Sequence, residues 1–124
     1  MRTIVGVGIA GALGALARYG LGSLVNERFP NFPWGTLLIN VSGSLALGFL
    51  FVTLTERSLV SASTRTILTI GFLGAYTTFS TFSLETVRLF EDGAFLAAGA
   101  NVVLNVVLGL SAAAAGVGLA RAIA

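Results

Sequence analysis

Seven consecutive residues, Thr77 to Ser83, carry five hydroxyl side chains and two phenylalanines, inside a stretch that has no charge between Arg65 and Glu85. Ser and Thr offer the backbone competing hydrogen bonds and are mediocre helix formers. Two local structures fit. In one, the helix runs on and each hydroxyl bonds the preceding turn. In the other, the helix breaks; deep in a membrane this is tolerated only inside protein or along a water-filled cavity, where freed carbonyls can bind a cation. The hydroxyls of Thr78, Ser80, Thr81 and Ser83 could donate hydrogen bonds to an anion. Phe79 and Phe82 are three apart and share a helix face. Ordinary packing is the default for such a pair, but an aromatic ring has a positive edge that can face an anion.

Asn40, Asn101 and Asn105 are asparagines in apolar surroundings. Each amide offers two N–H donors. They can act as glue between helices, at about 0.6 kcal/mol per bond, or replace part of an anion's water shell. Arg18 interrupts an apolar run and has no acid near it to neutralise it. It can snorkel to the interface along its own stem or face a water-filled vestibule and attract anions.

The elements that must position these groups follow from composition. The chain has 124 residues, of which 56% are hydrophobic and 10% charged; soluble domains carry roughly 25% charged residues. A chain this short cannot hide so much apolar surface in water, so lipid is the expected solvent. Cysteine and histidine are both absent, which removes thiolate sites and the commonest general base and metal ligand. The one pair of adjacent carboxylates, Glu91-Asp92, reads as a solvated turn, and no enzyme is expected. The seven basic residues are scattered arginines that form no nucleic-acid patch.

A membrane-crossing helix needs about 20 mostly apolar residues. Four segments qualify: 3–25, 34–55, 66–89 and 93–121. Together they form a single transmembrane domain over residues 1–124. The first is too long for a signal-peptide apolar core of about 7–15 residues and reads as a retained helix. The breaks carry both prolines, Pro30 and Pro33, a Ser-rich polar stretch from Glu56 to Arg65, and the Glu91-Asp92-Gly93 turn. Trp34 stands where an interfacial aromatic anchor belongs. Short connections make the helices sequential antiparallel neighbours. Small residues at Ala10, Gly14 and Gly22, and Asn40, Ser44 and Gly48 on one face of the second span, allow close helix approach. They serve bundle packing or a homo-oligomeric interface. The terminal side holds four arginines, Arg2, Arg57, Arg65 and Arg121, and the other side Arg28 and Arg88, with Arg18 inside the first helix. This weak bias mildly favours cytoplasmic termini and leaves insertion in both orientations open.

Three segments carry a resemblance: Gly11-Ala12-Leu13-Gly14-Ala15-Leu16-Ala17-Arg18-Tyr19, Gly35-Thr36-Leu37-Leu38-Ile39-Asn40-Val41-Ser42-Gly43, and Gly71-Phe72-Leu73-Gly74-Ala75-Tyr76-Thr77-Thr78-Phe79-Ser80-Thr81-Phe82. With these in order, the chain resembles the Fluc, or CrcB, family of fluoride channels over essentially its whole length. Asn101 and Asn105 depart from it, standing where the family often has an aromatic or hydroxyl residue. The resemblance implies an all-α fold of four transmembrane helices in a multi-pass protein of the inner (plasma) membrane. The third helix would be broken near mid-membrane, and two copies would assemble as an antiparallel, dual-topology homodimer. It implies fluoride as the permeant ion, lined by Asn40, Phe79 and Phe82, and a structural Na⁺ held by the backbone carbonyls of Gly74 and Thr77 from both copies. Fluoride would leave the cytoplasm down its electrochemical gradient. The runner-up is a small four-span proton-coupled multidrug transporter. That class needs an intramembrane carboxylate, and Glu85 is the only candidate.

Overall fold

In lipid every backbone hydrogen bond must close within the protein, and the apolar segments of this chain do so as helices. The computed structural model describes residues 1–123. Its first span is α1 (Arg2–Arg28). The second is α2 (Trp34–Phe51), continued by a π-helical turn over Val52–Glu56. The third starts as α3 (Ala62–Thr66), widens into a π-helical stretch (Ile67–Leu73), and ends its first half with α4 (Gly74–Tyr76). Its second half is α5 (Phe79–Glu91), and the fourth span is α6 (Phe95–Ala122). All four spans are long and apolar enough to cross a membrane, and no strand occurs among the described residues. α6 starts two residues later than the expected 93, because Gly93 adopts φ 78° in a tight turn after α5.

Large apolar side chains cover the outside: Ile4, Leu16, Leu96 and Leu110 are all well exposed. In water such a surface would be a liability; against acyl chains it is matched. The interior is held together by glycines. A Cβ on Gly14 would fall onto the Phe72 carbonyl, one on Gly48 onto the Ala113 carbonyl, and one on Gly116 onto the Leu45 carbonyl. α1 therefore packs backbone to backbone against the first half of the third span, and α2 against α6, which is the most extensive pairing in the molecule. α5 packs on α6. The third span thus divides its halves between two partners, α1 for the first and α6 for the second, with the break between them.

Candidate functional site

The break falls at Thr77 and Thr78, both extended, with φ −81°, ψ 157° and φ −150°, ψ 121°. An unbroken helix would give the Thr78 N–H to the Gly74 carbonyl and the Thr81 N–H to the Thr77 carbonyl. Instead the Thr78 N–H goes to Asn40 Oδ1 at 2.8 Å, and the Thr81 N–H to Thr78 Oγ1 at 3.2 Å. Thr78 is thereby the N-cap of α5. Its own carbonyl accepts from Asn40 Nδ2 at 3.0 Å. Arg18 donates Nε–H to the Ala75 carbonyl at 3.0 Å, another acceptor exposed by the break. Gly74 and Thr77 keep carbonyls with no backbone donor, and Gly74 is exposed on the single chain.

The asparagines form a connected set. Asn40 Nδ2 donates to Asn105 Oδ1 at 3.0 Å, and Asn105 Nδ2 to the carbonyl and Oδ1 of Asn101 at 2.9 and 3.0 Å. The Asn40 amide is thus occupied on both sides within one chain.

An open groove of about 320 Å³ runs along the break. Asn40, Gly74, Thr77, Thr78, Phe79, Phe82 and Asn105 all line it, so seven of the eleven expected site residues meet there. Phe79 and Phe82 stand 5.6 Å apart, centroid to centroid, in an edge-to-face arrangement tilted by 63°. Their burial differs: Phe79 is 78% exposed on the single chain and Phe82 8%. Arg18, Ser80, Thr81 and Ser83 are outside this lining. The Ser83 hydroxyl bonds back to the Phe79 carbonyl at 2.9 Å, and the Thr77 hydroxyl to Leu73 at 3.0 Å. Thr78 donates to Thr81 Oγ1 at 3.1 Å and lies 3.5 Å from Ser80 Oγ. The hydroxyl hydrogens of Ser80 and Thr81 are the least committed of the run.

The profile of a family described as "CrcB-like protein, Camphor Resistance (CrcB)" matches residues 5–117. The chain belongs to the CrcB family. A relative from Geobacter sulfurreducens, named "Fluoride-specific ion channel FluC", is 45% identical over 122 residues, covering 98% of each chain. One of the same name from Syntrophotalea carbinolica is 46% identical over 119 residues, covering 95% of this chain and 97% of its own. A third of that name, from Methylococcus capsulatus, is 50% identical over 123 residues, or 98% of this chain and 54% of its own. The CrcB chain thus spans about half the length of the Methylococcus relative and nearly all of the other two.

Membership favours the channel reading over the drug transporter. Glu85, the carboxylate that alternative requires, accepts a 2.5 Å hydrogen bond from Thr36. It lines a separate cavity with Asn26, Arg88 and Asp92. Nothing in the sequence points to the Arg18–Ala75 bond beyond an arginine without a nearby acid. Thr86, which accepts from Asn101 at 2.9 Å, had no signal at all.

The Gly74 and Thr77 carbonyls suit a hard cation. They are neutral oxygens at the C-terminal end of a half-helix, the donor type that coordinates Na⁺ in discontinuous transmembrane helices. Two oxygens are too few to enclose an ion, so such a site needs a second contributor.

Proposed function

We propose that the protein is a fluoride-selective channel that lets F⁻ leave the cytoplasm. The observation that carries this reading is the groove at the broken third span, where Asn40, Thr78, Phe79, Phe82 and Asn105 converge in a chain of the CrcB family. Fluoride is small and strongly hydrated, and a pore must replace its water with close, neutral donors. Ring edges at Phe79 and Phe82, both lining the groove, are such donors; the uncommitted hydroxyls of Ser80 and Thr81 stand beside them in the chain, outside that lining, and could add donors once a second copy closes the path. None carries a fixed charge beside the ion, so binding stays weak enough for release. Asn40 supports the path by fixing the backbone at Thr78, and Arg18 by holding Ala75 in place.

The high exposure of Phe79 in one chain, and a groove open on one side, favour a second copy that closes the path. An antiparallel homodimer would supply it and would give two equivalent pathways. In that assembly the Gly74 and Thr77 carbonyls of both copies would hold a structural Na⁺, whose positive charge would tie the two breaks together. Liposomes loaded with fluoride and fitted with the purified protein test the reading: a fluoride electrode should record efflux down the gradient, with chloride retained. Sealed vesicles, or equal chloride flux, would overturn it.

A further inference from the structure

The amide bonds around the break all point one way. Asn40 Nδ2 donates to Asn105 Oδ1, Asn105 Nδ2 to Asn101 Oδ1, and Asn101 Nδ2 to Thr86 Oγ1. Thr86 Oγ1 donates onward to the Phe82 carbonyl at 2.8 Å. At its other end, Asn40 grips both the N–H and the carbonyl of Thr78. The ladder leaves the backbone just before Phe79, crosses α2 and α6, and returns to the backbone at Phe82. Asn101 is its central rung and is fully buried.

We propose that Asn101 and Thr86 are positioning residues for the ion pathway, fixing through this ladder where α5 starts and how Phe79 and Phe82 face the groove. Neither lines the groove, so neither needs to touch the ion. The direction of the ladder is single-valued. Reversing the Asn105 amide would set its N–H groups against those of Asn40 and its oxygen against the carbonyl and Oδ1 of Asn101. Plain interhelical glue has no such requirement, because an isolated amide pair can turn over as a unit. The flux readout of this inference rests on the fluoride-channel reading; its exchange readout does not.

The test uses the full-length protein in liposomes with the variants Asn101→Leu, Thr86→Val and Thr86→Ser. Hydrogen exchange is followed over residues 77–83, and fluoride efflux alongside it. Asn101→Leu and Thr86→Val should each raise exchange across 77–83 and cut efflux, both about tenfold. Thr86→Ser keeps the hydroxyl and should recover most of both. The double variant Asn101→Leu/Thr86→Val should be no worse than Asn101→Leu, since members of one network are not additive. Should Asn101→Leu fail to fold, the isosteric Thr86→Val decides alone. Unchanged exchange in Thr86→Val, or a double variant equal to the product of the singles, would overturn the ladder. A wild-type protein that passed no fluoride would refute the channel reading, while the exchange comparison would still decide the ladder.

Discussion

Arg18 and Ala75 are 57 residues apart in the chain, yet the Arg18 Nε–H is 3.0 Å from the Ala75 carbonyl oxygen. The bond joins α1 to the end of the half-helix that the break leaves short of donors. A helix C-terminus is the negative end of its dipole and favours a cation. In hydrocarbon an unmatched carbonyl is costly, so the arginine has a structural post as well as a charge.

Arg18→Gln removes a charge-assisted bond worth about 1.5–3 kcal/mol. We expect a lower melting temperature in detergent and at least a tenfold loss of fluoride efflux. A charge that merely steered anions would matter less at high ionic strength, since exposed charges are screened beyond about 10 Å at 0.1 M salt. The loss should therefore persist from low to high salt. A loss that vanished in high salt would return Arg18 to a steering role.

Asn40→Asp is the sharpest change at the break. The variant could still accept from the Thr78 N–H, but it has no donor for the Thr78 carbonyl or for Asn105 Oδ1. It would instead set a carboxylate oxygen against two other oxygens. Leaving these half-buried acceptors without a donor costs up to about 1–3 kcal/mol each, and more beside a charge. Efflux should fall by at least tenfold and thermal stability should fall with it. Wild-type flux in Asn40→Asp would remove the amide from any account of the pathway.

Much of this site could be read from residue types, and much of the rest lies in partners far away in the chain. The hydroxyl run at Thr77–Ser83 signalled a weak helix, and the four apolar segments signalled four spans. Nothing local to Thr78 said that Asn40 would clamp it, because a side-chain amide declares its donors and not their targets. Arg18 left snorkelling and a vestibule open; its bond to Ala75 needed the α1 packing that Gly14 permits. The π-helical turns at Val52–Glu56 and Ile67–Leu73 had no signature, since no residue type demands them. Phe79 and Phe82 share a face by spacing, yet one is exposed and the other buried, a difference that spacing does not carry.

The α2–α6 seam makes a separate prediction about folding. Gly48 and Gly116 each place bare backbone against a carbonyl of the facing helix, and backbone cannot swing aside as a side chain can. Gly48→Val or Gly116→Val should destabilise by about 1–3 kcal/mol or more. Gly99→Ala, where a Cβ meets nothing within 4 Å, should be neutral or slightly stabilising, given the poor helix propensity of glycine. Melting curves in detergent compare the three. Equal stability across them would mean that the seam can open without cost.

The phenylalanine pair separates packing from permeation, because its two rings differ in burial. Phe82 is 8% exposed, so Phe82→Ile removes buried contacts and should cost about 1–3 kcal/mol in stability. Phe79 is 78% exposed on the single chain, so Phe79→Ile removes few contacts within one chain and should lower the melting temperature less than Phe82→Ile does. If the rings only packed, efflux would follow stability, and Phe79→Ile would be silent. If their edges face the ion, isoleucine loses the positive rim whatever the burial, and both variants should slow fluoride by about tenfold or more. Efflux and melting measured on the same preparations distinguish these cases. A Phe79→Ile protein with wild-type flux would show that the exposed ring takes no part in passage.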